Sequence, residues 1–416
     1  MTTKHDYVEG ATYQSEATPI LIKNLPAGGS LRVSASYGEL LGELLFSIPA
    51  NERHVKVITV EEPVYCYSII YDKSKASDPE ACLTYAGLCE GFTPMSGSNE
   101  GSWAEGNGAI FDAIEVGYLN GTTWTKFNKS SVAGSTSYDC FTKIPKVYQK
   151  VTDLGNNKVQ LDLALEPFDG ASLHPAFVRS GSEINHLYIG RYLAYNSSSK
   201  LYSYSGKTPT GSVTRANFRV YARNRGTAYS LMKYYDWDLV NKLYLLAFKN
   251  FYSQSALGPG LTNGNKSSTG GTNSKSWMHG GDGLTSMSFL GIEDWWGNCW
   301  QFIDDFYGNG GVYYAGNNTT PTDNSSNKTQ IGSGLTSSGY YLTCKATADG
   351  FFLAETSGGS GSTGLCDYQY YDSGENLGDV GGDSSLGSTA GAFTLDAAVG
   401  LSASSSRLGA RLTYVD

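Results

Sequence analysis

Charge is scarce in this sequence. Only 17% of its 416 residues are charged, and acids outnumber bases 39 to 30, for a net charge of -9. That balance opposes a phosphate backbone, so nucleic acid is not an expected partner. No apolar run approaches the length of a bilayer span, so membrane insertion is not expected either. The first fifteen residues carry Lys4, Asp6 and Glu9 and no apolar stretch, unlike a secretory leader. Seven cysteines stand far apart with no CxxC pair, and an odd number cannot complete a disulfide framework. They are expected to be buried thiols of a protein made in a reducing cytoplasm.

What is abundant points to turns and strands. Fifty-one glycines and 30 tyrosines accompany a 40% hydrophobic content, enough for two or three packed domains and too much for a disordered chain. Residues 18–71 alternate polar and apolar, as in Ser30-Leu31-Arg32-Val33 and Val55-Lys56-Val57, which predicts strands. Residues 1–75 are therefore expected to form a small β-sandwich-like domain for assembly or docking. Residues 76–139, rich in Gly, Ser and Asn, are expected to be a loop-rich connector. From residue 140 short strands return, joined by one strong helix signal. Val240, Leu243, Tyr244, Ala247, Phe248 and Phe251 form an apolar stripe, with Asp236 or Asp238 available to cap it. Residues 253–276 and 308–338 are expected to be long surface loops.

Several segments of the second half carry a resemblance. They are Lys143-Ile144-Pro145-Lys146-Val147-Tyr148, His174-Pro175-Ala176-Phe177, the strand at 186–195, Gly291-Ile292-Glu293-Asp294-Trp295-Trp296-Gly297-Asn298-Cys299-Trp300-Gln301-Phe302, Cys366-Asp367-Tyr368, Gly381-Gly382, Ala390-Gly391-Ala392-Phe393 and Leu408-Gly409-Ala410-Arg411-Leu412. In that order they resemble phage and prophage tail receptor-binding proteins of the C-type lectin fold, in the formylglycine-generating-enzyme-like subclass. Within it they are most similar to the variable proteins of diversity-generating retroelements, the tropism-determinant family. The resemblance implies an α+β, β-rich fold, with a C-type-lectin-like domain over 140–416 whose first and last strands pair. It also implies a variable region over 366–408 that meets a host cell-surface receptor, protein or glycan. Other tail proteins would be partners, the assembly a homotrimer and the location a phage tail, after synthesis in the host cytoplasm.

By position, the implied receptor contacts are Tyr370, Tyr371, Asp379, Asp383, Ser384, Ser385, Ser388, Thr389, Thr394, Asp396, Ser402 and Ser404. Gly381, Gly382, Gly391, Ala392, Phe393 and Arg411 are expected to be scaffold. Residues 379–406 contain no Lys, Glu, Gln, Met or Trp, the five residues that randomising the adenines of Asn codons cannot reach. A plain Ser/Gly loop would have the same composition. Tyr, Ser and Asp suit adaptable recognition, and weak single contacts favour several copies binding at once.

No enzyme, cofactor or metal is expected. Formylglycine chemistry in the related enzymes needs two closely spaced cysteines near the C-terminus, and Cys366 has no near neighbour. His279 with Asp282 is the one His/Asp pair beside a flexible loop. Asp304-Asp305 is expected to be a solvated turn or a structural cation site. The calcium-lectin tripeptides Glu-Pro-Asn and Gln-Pro-Asp are missing, so the ligand stays open between glycan and protein. The alternatives are a bacterial surface or secreted lectin-like module, disfavoured by the missing leader, and a structural decoration protein of the virion.

Overall fold

The computed structural model describes residues 66–107 and 109–416, and before them only the backbone of five short strands. The chain divides into two compact units, Met1–Val64 and Tyr65–Asp416. In the first, Ile20–Lys23 pairs with Thr3–Asp6 and Lys56–Ile58, and Ser30–Tyr37 forms an antiparallel hairpin with Leu40–Ser47. The hairpin contains the alternating run Ser30-Leu31-Arg32-Val33, and Lys56–Ile58 holds part of the other. The packing of these strands into a sandwich lies outside the described residues.

The second unit corrects the expected α+β, lectin-like fold class. Strand accounts for 39% of the structure against 13% helix, and large sheets dominate. Glycine and tyrosine set this balance: turns recur too often for long helices, and aromatic side chains pack well on pleated surfaces. A five-stranded sheet runs in the order Ser172–Leu173, Tyr148–Gly155, Lys158–Ala164, Tyr67–Asp72, Leu83–Gly87. A fourteen-stranded sheet has at its centre the chain's last strand, Leu408–Val415, antiparallel to His186–Leu193 and parallel to Trp300–Asn309. On one side it extends through Asp139–Pro145 to Glu115–Asn120 and Thr123–Lys126. On the other it extends through Glu375–Val380, Leu395–Gly400, Tyr368–Tyr371 and Gly339–Cys344 to Ala354–Ser357.

The segment expected to be a connector is woven into both sheets. Leu83–Gly87 belongs to the smaller sheet and Glu115–Asn120 to the larger. Trp103, fully buried, packs its ring against Tyr67, Tyr85, Phe92 and Phe111 at 4.9 to 5.9 Å. Scattered aromatics can thus nucleate a core without any regular period, because rings of 150–250 Å² bury area from irregular backbone as well as from strands.

The two longest helices among the described residues are α1, Arg215–Arg223, and α2, Tyr234–Phe248. The α2 helix begins where Asp236 Oδ2 accepts from the Lys233 amide at 2.9 Å, and it ends at Lys249 in the left-handed region, φ 48°. All fifteen of its residues are buried, so the stripe read from the sequence is one face of a helix enclosed on every side. The charged residues of the other faces are paired. Asp238 lies 2.5 Å from Lys242 Nζ and 3.1 Å from His174 Nε2, and Lys242 also donates to Gln149 at 2.8 Å. Burial and the Lys242 charge push His174 down to about 4, so near neutral pH its contact with Asp238 is a hydrogen bond rather than an ion pair.

Candidate functional site

The frame behind the C-terminal face is the 291–302 run. Trp295, Trp296 and Phe302 are buried, as core residues should be, while Gly297 and Asn298 take positive φ of 79° and 60° to turn the chain inside that core. Asn241 of α2 accepts from Trp295 Nε1 at 2.9 Å and donates to Ala392 O at 2.8 Å, tying helix, tryptophan run and C-terminal segment together. Arg411 is the second tie. Its fully buried guanidinium donates to the carbonyls of Gly190, Arg191, Glu293 and Asp294 at 2.8 to 3.1 Å and to Gln301 Oε1 at 2.6 Å. Burial lowers it to about 10, and burial with the neighbouring Glu293 raises Asp294 to about 7.

On this frame Glu375–Val380 and Leu395–Gly400 stand antiparallel, and residues 381–394 form the excursion between them. The twelve expected contact residues separate sharply. Asp379, Asp383, Ser384 and Thr394 are buried and are corrected to scaffold. Asp379 sits opposite Asp396 within the strand pair. Asp383 caps a turn, accepting from Ser385 N and Oγ at 2.8 and 2.7 Å, and pairs with Arg407 at 3.0 Å. Ser384 turns inward, its carbonyl taking the Gly264 amide at 2.6 Å, and Thr394 Oγ1 donates to Thr389 O at 2.7 Å. Asp383 and Thr394 thus use their side chains to complete the backbone of a tight loop, the usual work of Asp and Thr in turns.

The other eight reach the surface. Ser385, Ser388, Ser402 and Ser404 are exposed or partly so, as are Tyr370, Tyr371, Thr389 and Asp396. Tyr371 faces away from the rest, since neighbouring residues of a strand point to opposite faces, and its ring lies beside Gly311. Ser402 and Ser404 lie in the loop between Leu395–Gly400 and the last strand. Tyr370, Ser388, Thr389 and Asp396 come together with three aromatic residues that the sequence does not mark as contacts: Trp300, Tyr340 and Tyr368.

These aromatics form a strip. Ring centroids are 5.2 Å apart for Tyr340 and Tyr368, 4.6 Å for Tyr368 and Tyr370, and 5.8 Å for Tyr370 and Trp300. All four residues are partly exposed. Tyr340 lies across from Tyr368 on the neighbouring strand, and Tyr370 lies beside Asp396 on the other side. Tyr340 Oη meets Ser388 Oγ at 3.2 Å, joining the strip to the tip of the excursion. Burial raises the Asp396 carboxyl to about 6, and burial with the charges of Asp396 and Asp383 raises Asp379 well above the usual range. The alternation Tyr368-x-Tyr370 is a legible signal, whereas Trp300 is hidden at the end of a run whose other aromatics are core.

Hydrogen bonds knit the surrounding loops. Gly387 N donates to Thr262 O at 2.8 Å, and Lys266 Nζ reaches Ser406 O at 2.7 Å. Trp300 N donates to Arg407 O at 3.0 Å. Loops 262–267, 384–389 and 402–407 therefore make one continuous face beside the strip, with Leu284, 64% exposed, at its margin. Part of the 253–276 segment is thus anchored, with Thr262, Thr269 and Thr272 buried.

Other candidates resolve into structure. Asp282 caps its own turn through Leu284 N and Thr285 Oγ1 at 3.0 and 2.7 Å, so its carboxylate serves the loop rather than His279. Asp304 and Asp305 are fully buried, which corrects the solvated turn. Asp304 pairs with Arg219 at 2.5 Å, and Asp305 pairs with Lys328 at 3.0 Å. Although burial opposes its charge, Lys233, Arg219 and Arg215 hold Asp304 down at about 2. Six of the seven thiols are buried and Cys66 partly so, all unbridged. Burial pushes Cys82, Cys140 and Cys299 up to about 12, far from nucleophilic readiness. A cleft of about 730 Å³ opens elsewhere, lined by Lys73, Asn157, Thr343, Lys345 and Glu355, and Lys73 and Glu355 close on each other there at 2.7 Å. Among the described residues no group of three His, Cys, Asp or Glu side chains could hold a metal ion, and no helix is long and apolar enough to cross a membrane.

Comparison of the chain with protein-family models and with curated proteins returns no match.

Proposed function

We propose that this chain is a non-enzymatic adhesin of a phage tail tip, which attaches to a host cell surface through the face carrying Ser385, Ser388, Thr389, Tyr370 and Asp396. The observation that carries the reading is the contrast in this region between a rigid, fully buried frame and short polar side chains presented at its edge. Arg411, Asn241 and the tryptophan run hold the frame, and three cross-bonded loops hold the face. Such a surface offers recognition at little cost in ordering, because its loops are already fixed. Its small contacts are individually weak, at about 0.5–1.5 kcal/mol for a hydrogen bond, so attachment draws on several copies, and we propose a homotrimer. Retroelement diversification, in the same proposal, is confined to exposed positions, since Asp379, Asp383, Ser384 and Thr394 serve the fold.

The test is adsorption of the labelled full chain to a panel of bacterial strains. Saturable adsorption to some strains is expected, reduced at least tenfold by Ser385→Trp with Ser388→Trp at unchanged melting temperature. Adsorption to no strain, or adsorption indifferent to both substitutions, overturns the reading.

A further inference from the structure

We infer that the strip formed by Tyr340, Tyr368, Tyr370 and Trp300 is a saccharide-binding platform, and that the ligand is a glycan chain presenting pyranose rings with an apolar C–H face. This inference rests on the adhesin reading and names its ligand class. Three observations carry it. The first is shape: four partly exposed rings follow one another at 4.6 to 5.8 Å between centroids, each turned 50 to 83° from the next. Stable protein partners bury roughly 800 Å² per side around desolvated anchors. Here the exposed large apolar residues are scattered, Leu284 at 64% and Leu401 at 39% among them, so no broad apolar patch surrounds the row among the described residues.

The second is the edge chemistry. A sugar ring is apolar on one face and ringed by hydroxyls that both donate and accept. The row is bordered by matching groups. Asp396 lies beside Tyr370 in the parallel strand pair, Ser388 meets Tyr340 Oη at 3.2 Å, and Ser385 reaches the surface three residues before Ser388. A carboxylate accepts from adjacent hydroxyls, and hydroxyl side chains serve either role. The third is rigidity. Tyr368 and Tyr370 project from one strand, Tyr340 from its partner, and the Trp300 backbone is held by its N–H donating to Arg407 O at 3.0 Å. Aromatic side chains with two torsions, preset by a sheet, lose little freedom when a flat ligand stacks on them.

Two measurements test this, one on purified sugars and one on cells. The full chain is applied to an array of immobilised bacterial and mammalian oligosaccharides. Binding to at least one pyranose-containing class is expected, reduced about tenfold by Tyr368→Ala and again by Tyr370→Ala, with Asp396→Asn weakening it severalfold and Leu154→Ala, on the other sheet, leaving it unchanged. No binding on the array, or binding unaffected by the strip substitutions, overturns the inference. On cells that adsorb the chain, periodate oxidation of vicinal diols is expected to abolish adsorption while protease treatment spares it. Adsorption that survives periodate and is lost to protease overturns the glycan ligand and leaves the adhesin reading standing. Adsorption to no strain overturns the adhesin reading, and the array result then decides the platform alone. Should Tyr370→Ala lower the melting temperature, Tyr340→Ala and Tyr368→Ala, at partly exposed positions, decide the matter in its place.

Discussion

Residues 381–394 hold two regions of nearly identical composition and opposite fate. At the base, Gly381 to Ser384 and Gly391 to Thr394 are buried, while from Ser385 to Thr389 the chain is exposed or partly exposed. Both parts are built mainly of Gly, Ser, Thr and Ala. At the base a methyl group would not fit: a Cβ on Gly391 would lie 1.9 Å from Asp367 Oδ1, whose carboxylate accepts the Phe393 amide at 2.7 Å. At the tip a Cβ on Gly387 meets nothing within 4 Å. Small polar residues therefore do two jobs. At the base they let a neighbouring segment approach closely, and at the tip they leave room for something else. Composition cannot tell these apart, but the hydrogen-bond partners can.

Substitutions can break that comparison, and the largest effect belongs to the frame. Val240→Asp places an unpaired charge inside α2, which is buried on every side, and is expected to cost about 3–5 kcal/mol or prevent folding. An unchanged denaturant midpoint would mean that the helix is not enclosed. Next comes pH. The Asp396 carboxyl is raised from 3.8 to about 6 in the folded chain, so the folded state binds its proton more tightly than the unfolded one. That contribution is complete below about 4 and is lost as pH rises through 6, about 2–3 kcal/mol across the window. Thermal melts from pH 4 to 7 should fall more steeply for the native chain than for Asp396→Asn, and equal slopes would sink the assignment.

Smaller effects sharpen the contrast within the excursion. At the base, Gly391→Ala and Ser384→Trp are expected to destabilise by about 1–3 kcal/mol through overpacking, read from chemical denaturation. At the tip, Ser385→Trp is expected to stay within about 0.5 kcal/mol of the native chain. If the two positions respond alike, base and tip are not distinct regions.

Much of the frame was legible in the chain. The α2 stripe, the burial of Trp295, Trp296 and Phe302 and the turn at Gly297-Asn298 all follow from local pattern. What misled was context. Asp304 and Asp305 looked solvated because adjacent acids usually are, yet Arg215, Arg219, Lys233 and Lys328 arrive from distant segments to neutralise them. Trp103 looked like a loop residue because no period surrounds it, and its partners come from four separate places in the chain. Asp383 and Ser384 looked like surface because Ser and Asp usually are, but Arg407, Asn298 and Gly264 are their partners.

Glycine and tyrosine content, the sparse charge and one uninterrupted apolar period determined by themselves that the chain would be β-rich and carry a long helix at 234–248, since these act through backbone freedom and nearest neighbours. Which serines and aspartates face solvent, and that Trp300, Tyr340, Tyr368 and Tyr370 form one row, was decided only when strands far apart in the chain came to lie side by side. Exposure is a property of what packs against a residue, and for this face the packing partners come from well-separated stretches of the sequence.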